Sequence, residues 1–380
     1  MKDRRVEIYV DYEFLEKYFE HLNTADVLSE EFEVYYSFFK VIRQDHVRLI
    51  SLETGKHISG FDIIRVYQPD LIRKGLINEL KIADKSTYHF NIAYPFAELQ
   101  NPQSLFFGEV FYASSEILGK KHGFVFSCNS NFIVNWSRLL LINIKSTIHV
   151  KSGFSWSDLT PYSLPSNSIL FIDPYLISWL KRAHCIFDSQ IGRWKVVKSK
   201  IEDNLIEALK AITNSSSLQC TSLNIITKSD YKKTGDQGES KANIQALFNK
   251  IKHIISVSIA SFENGALTER KGSGDEYDIA SKHLQNNLHD RYIITNYHLI
   301  ISTHSLDFID REEGKQITKK NTQLIIQPLL QADYFKFYTS KLEDYAKIIN
   351  WKESELLTQF LISESDGVAA NKHFNRTAAI

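Results

Sequence analysis

The spacing of apolar residues changes period repeatedly along the chain, and each change marks an element. Val6 to Val10 reads as a strand, and Glu31 to Arg43 as a helix whose Tyr35, Tyr36, Phe38 and Phe39 form a packing stripe. Further strands are expected at Tyr88 to Ala93 and along Leu139 to Val150. Ser168 to Leu176 reads as a buried strand ended by the Pro174 turn, followed by a helix over Asn204 to Ile212 and a strand over Leu218 to Ile226. Ala242 to Ile254, with Ile244, Leu247, Phe248 and Ile251 at helical spacing, leads into a strand at Val257 to Phe262. Strands alternating with helices imply a mixed α/β sheet with helices on its faces.

The polar stretch Thr160 to Asn167, which holds Pro161 and Pro165, is the expected linker. It separates an α+β N-terminal domain of unassigned role over residues 1–160 from an α/β domain over 165–350. A C-terminal helix and flexible tail are expected over 351–380.

The sharpest pattern is the hairpin after these elements. Tyr292-Ile293-Ile294 and Leu299-Ile300-Ile301 flank Thr295-Asn296-Tyr297-His298. An even loop centred on Asn296 and Tyr297 sets Arg291 opposite Ser302 and His289 opposite His304. Side-chain alternation then puts these four on one face, and Asp290, Tyr292 and Ile294 on the other. Two imidazoles, a guanidinium and a hydroxyl would make a phosphate pocket. A loop of odd length would shift the register and break it.

His289, Arg291 and Asn296 keep the spacing of the H-x-K-x4-D signature, and the chain here resembles the phospholipase D-like superfamily. It is closest to divergent members such as the phospholipase D-like C-terminal domain of MIT-domain proteins. Arg291 stands for the Lys, Asn296 for the Asp, and Thr303-His304-Ser305-Leu306 for the following G-S-x-N. The Asp173-Pro174-Tyr175 turn also resembles the strand end beside that family's site. About one or two His-x-Lys/Arg triplets are expected by chance from this composition, so the surroundings give the pattern its weight. His149-Val150-Lys151, beside Asp158, is a candidate divergent first half at altered spacing.

The resemblance implies His289 as the nucleophile that forms a phosphohistidine and His304 as a second acid and base. Arg291, Asn296, Ser302 and Asp173 would surround the phosphate. No metal and no cofactor are expected, and a homodimer would complete the site. Arg291 keeps the positive charge and adds a bidentate fork, whereas Asn296 removes a carboxylate. One reading is therefore a binder of nucleic acid, nucleotide or another phosphodiester ligand, acting as an accessory protein in prokaryotic defence or nucleic-acid handling. The other is a metal-independent phosphodiesterase or nuclease.

Composition bounds these readings. With 45 basic and 45 acidic residues in 380, no uniformly basic coat is present. A basic run, Lys181, Arg182, Arg193, Lys195, Lys198 and Lys200 with Trp194, reads as a solvated face or a phosphate-backbone contact. Three dispersed cysteines fit a reducing cytoplasm. The longest apolar run, Leu139 to Ile144, falls far short of the roughly 18 to 20 residues of a membrane span.

Overall fold

In a computed structural model of the chain, the described residues are 4–52, 57–58, 101, 103–176, 183–188, 193–213, 222–228, 246, 249, 256–262, 291–312, 315–318, 321–350 and 359–363. His289, the strand expected at Tyr88 to Ala93 and most of the helix expected at Ala242 to Ile254 lie outside them. The fold is α/β. Among the described residues, no helix is long and apolar enough to cross a membrane.

The first sheet contains β1 (Val6–Val10), β2 (Val47–Ser51), β3 (His57–Ile58), β4 (Ser104–Phe107) and β5 (Val125–Ser127), in the order β3-β2-β1-β4-β5. Its strands are parallel except for β3. Two helices, α1 (Tyr12–Thr24) and α2 (Glu30–Val41), carry the chain from β1 to β2. The Asp11 carboxylate starts α1 by accepting the Phe14 N–H at 2.7 Å, and the Ser29 hydroxyl starts α2 by accepting the Phe32 N–H at 3.0 Å. Helical crossovers between parallel strands make this part α/β as well, where the sequence suggested α+β. Two more helices, α3 (Ser115–His122) and α4 (Asn129–Leu140), flank β5.

The second sheet begins with β6 (Thr147–Val150) and β7 (Ser168–Ile172); β8 (Ala183–Asp188) and β9 (Arg193–Ser199) form a separate hairpin. The π-helical turn Ile201–Ile206 and α5 (Glu207–Thr213) precede β10 (Ser222–Lys228) and β11 (Ser256–Phe262). Then come β12 (Arg291–Ile294), β13 (His298–Ser302), the small hairpin of β14 (Ile309–Glu312) and β15 (Lys315–Thr318), and β16 (Thr322–Pro328). Helix α6 (Ala332–Asn350) and β17 (Gln359–Ser363) follow. The sheet order is β17-β11-β10-β7-β12-β13-β16-β6. β7, β10 and β11 are parallel, and β12, β13 and β16 run antiparallel in succession.

Three expectations change. Leu139 and Leu140 end α4 rather than opening a strand, because Leu141 (φ 59°) and Asn143 (φ 56°) take left-handed conformations that stop the helix. Only Thr147–Val150 is extended, and it joins the second sheet at β16. Residues 359–363, expected within a helix and tail, form a strand that covers the edge of β11. The expected linker is largely a buried strap: Thr160 and Pro161 are exposed at the end of the 3-10 helix Trp156–Tyr162, and Ser163, Leu164, Ser166 and Asn167 are buried behind it.

Alternation along the strands gives the second sheet two apolar faces. Leu170, Ile172, Ile226, Tyr292, Ile294 and Leu299 share one core with Val6, Ile8, Val10 and residues of α1, α2 and α4. On the opposite face Ile169, Phe171, Leu223, Ile225, Ile293 and Ile300 pack with Leu205, Leu209, Trp156 and Phe308. One continuous core therefore joins the two sheets.

Candidate functional site

The strand Ser168–Ile172 ends in a turn that its own sequence dictates. Pro174 cannot continue the ladder, and the Asp173 carboxylate folds back to accept the Tyr175 N–H at 2.8 Å, closing an Asx turn. Its second oxygen accepts the Ser305 hydroxyl at 2.9 Å and the Leu306 N–H at 2.8 Å. The turn after β7 is thus clamped to the segment after β13. Asp173 is fully buried, and burial pushes its carboxyl up to about 6 against the opposing pull of these donors and of Arg291.

The β12–β13 hairpin has the register read from the sequence: Arg291 faces Ser302, Tyr292 faces Ile301, and Ile294 faces Leu299. Thr295 sets the even loop, its hydroxyl accepting the N–H groups of Tyr297 at 3.3 Å and His298 at 3.0 Å. Tyr292 pairs with Ile172, and Ile226 pairs with Ile172 from the other side. The next position on each strand forms a lateral row of Thr227, Asp173, Arg291 and Ser302, on the face that carries Ile225, Phe171, Ile293 and Ile300. The row lies where the parallel strands β7 and β10 end, the edge at which open α/β sheets place ligands. The Arg291 guanidinium carbon stands 5.1 Å from the centre of the Tyr175 ring, which supports the cation from its face.

Other expected site residues have different tasks. The Ser302 hydroxyl donates to the His304 carbonyl at 2.6 Å and accepts the His304 N–H at 3.2 Å, so it shapes the turn. β13 ends at Ser302, and the β13–β16 register carried two residues further sets His304 opposite Thr322. Its Nδ1 lies 3.0 Å from the hydroxyls of both Thr303 and Thr322. Lys200, expected in a basic surface run, is buried between Asp307 at 3.2 Å and Asp310 at 3.1 Å. His149 is exposed on the edge strand β6 opposite Gln323, two strands beyond β13.

Asn296 departs most from its expected role in phosphate binding. It is fully buried, and its Oδ1 accepts the Ser166 hydroxyl at 2.9 Å and the Ser168 N–H at 3.2 Å. Its Nδ2 donates to the Gly123 carbonyl and to Asn167 Oδ1, each at 3.1 Å. Both polar atoms of the side chain are engaged, and neither is presented to a ligand. The rest of the turn does the same work. Tyr297 donates its hydroxyl to the Ser104 carbonyl at 2.8 Å and accepts the Val125 N–H at 3.0 Å. His298 Nε2 donates to the Arg138 carbonyl at 3.0 Å. The hairpin tip is a plug that fastens the second sheet to β4, β5 and α4.

Tyr175 and Ser305, both within segments the sequence pointed to but given no role there, belong to the Asp173–Arg291 neighbourhood, as does Thr227. Thr227 required the register of strands far apart in the chain. Thr227 is buried, and its hydroxyl makes no hydrogen bond among the described residues.

Compared with known proteins, the chain matches no protein-family model and no curated protein.

Proposed function

We propose that this chain is a phospholipase D-like protein whose altered site binds a phosphate-bearing partner, nucleic acid or nucleotide, without efficient turnover. The observation that carries the reading is Arg291 opposite Ser302 at the head of the β12–β13 hairpin, one strand from the Asp173 turn. A guanidinium supplies up to five donors in a plane suited to two phosphoryl oxygens. Asp173 and Tyr175 hold the surroundings of that fork, Asp173 by its clamp and Tyr175 by its ring. Of the order strand, helix, strand, helix, strand and hairpin expected of such a domain, β7, α5, β10, β11 and β12–β13 follow one another in the chain, with the β8–β9 pair between β7 and α5.

One feature favours binding over catalysis: the position of the signature carboxylate holds an amide used wholly for docking the sheets. Incubating the full chain and His289→Ala with single- and double-stranded DNA and a chromogenic phosphodiester, in chelator, tests this division. Retention of intact substrate by both proteins is expected. Cleavage that survives chelator and disappears in His289→Ala would establish the phosphohistidine enzyme instead.

A further inference from the structure

A second cleft, of about 280 Å³, opens between α3, α4 and the buried strap. Its walls include Glu116 and Lys120 of α3, Asn135 and Arg138 of α4, and Ser163 and Leu164 of the strap. None of the residues around Asp173 and Arg291 contributes to it. Its polar groups are unequally used. Lys120 pairs with Glu116 at 2.5 Å, so these two charges offset each other. The half-buried Arg138 guanidinium makes no hydrogen bond or ion pair among the described residues. Ser163 is only 5% exposed, and its hydroxyl likewise makes no hydrogen bond among them. Asn135 spends its Nδ2 on the Ser127 hydroxyl at 3.3 Å, leaving Oδ1 as an acceptor.

The Arg138 guanidinium and the Ser163 hydroxyl thus line the cleft with donors that no described protein group takes, and an anion between them would accept from both. Leu164 and Pro165 add an apolar wall, which suits a ligand with a carbon skeleton over a bare inorganic ion. We propose that this cleft binds a small organic anion. Arg138 and the Ser163 hydroxyl hold its carboxylate or phosphate group, and a ligand hydroxyl or amine donates to Asn135 Oδ1. Since the Arg138 carbonyl also receives His298, the ligand sits on the joint between the two sheets and strengthens it.

The test uses the full chain, with citrate and glycerol 3-phosphate as carboxylate and phosphate probes, in thermal unfolding and calorimetry at ionic strength matched with chloride. A saturable rise in melting temperature with at least one probe is expected, and the better probe identifies the anionic group. Arg138→Gln should weaken that probe about ten- to hundred-fold, the range for one charge-assisted hydrogen bond. Ser163→Ala should weaken it less. Arg138→Gln removes no hydrogen bond from the fold, so its melting temperature without probe should match the parent's. The proposal is overturned by a rise that chloride reproduces, by no saturable binding of either probe, or by undiminished binding to Arg138→Gln.

Discussion

The Asn296 side-chain amide donates to the Gly123 carbonyl at 3.1 Å, joining residues 173 positions apart. Gly123 takes φ +68°, and a Cβ there would lie 2.6 Å from both the backbone nitrogen and the Cβ of Asn167. Asn167 Oδ1 is the second acceptor of the same amide. The three residues form one tight joint, with glycine required at its centre by both conformation and space.

Asn296→Asp therefore should not restore a phospholipase D-like active site. A carboxylate would face two acceptors, the Gly123 carbonyl and Asn167 Oδ1, in a fully buried position. Destabilisation on the order of 3 kcal/mol is expected from the lost donors and buried charge. Gly123→Ala should cost a comparable amount through steric overlap and strain. Denaturant unfolding of both variants at neutral pH checks this, and a stability equal to the parent's for Asn296→Asp contradicts the role given to the joint.

Two buried groups give opposite pH dependences. Burial pushes His298 down to about 4, from about 6.5 in an unfolded chain. The unfolded state then binds the proton first, so the contribution of His298 is full above about pH 6.5 and is lost as pH falls toward about 4. Asp173, raised to about 6, does the reverse: its contribution is full below about pH 4 and is lost as pH rises through about 6. The stability difference between the parent and His298→Gln should shrink by up to about 3 kcal/mol from about pH 7 to about pH 4. Chemical denaturation across that range measures it, and a difference independent of pH contradicts a neutral, buried His298.

Lys200 shows how little a count of basic residues says about a surface. Its ammonium group neutralises Asp307 and Asp310 beneath the segment that supplies Ser305 and Leu306 to Asp173. Lys200→Ala should destabilise the protein by about 3 to 5 kcal/mol, because it leaves two carboxylates buried without their cation. Lys200→Arg should lose less, since it keeps the charge. Melting temperatures of the two variants test the pairing, and a neutral Lys200→Ala would place the lysine in solvent instead.

What the sequence disclosed depended on the range of the interaction. The Arg291–Ser302 register followed from period-two alternation and an even loop, both local to about a dozen residues, and the Asp173 turn followed from Asp-Pro. The burial of Ser163, Leu164, Ser166 and Asn167 was hidden because polar, proline-containing stretches usually lie on surfaces. Here Ser166 and Asn167 are satisfied by Asn296, some 130 residues later. The same distance disguised Asn296 as a ligand residue. His304 lies beside Thr322, the residue that the β13–β16 register places opposite it two positions past Ser302.

The phosphate-binding role proposed for Arg291 is open to a binding titration. Fluorescence anisotropy with a labelled single-stranded oligonucleotide, in chelator and at fixed salt, should show saturable binding to the parent chain. Arg291→Ala should weaken that binding by about 1.5 to 3 kcal/mol, the worth of a charged hydrogen bond, while Arg291→Lys should recover part of it as a point charge. Unchanged affinity in Arg291→Ala, with the fold intact by circular dichroism, would contradict the claim.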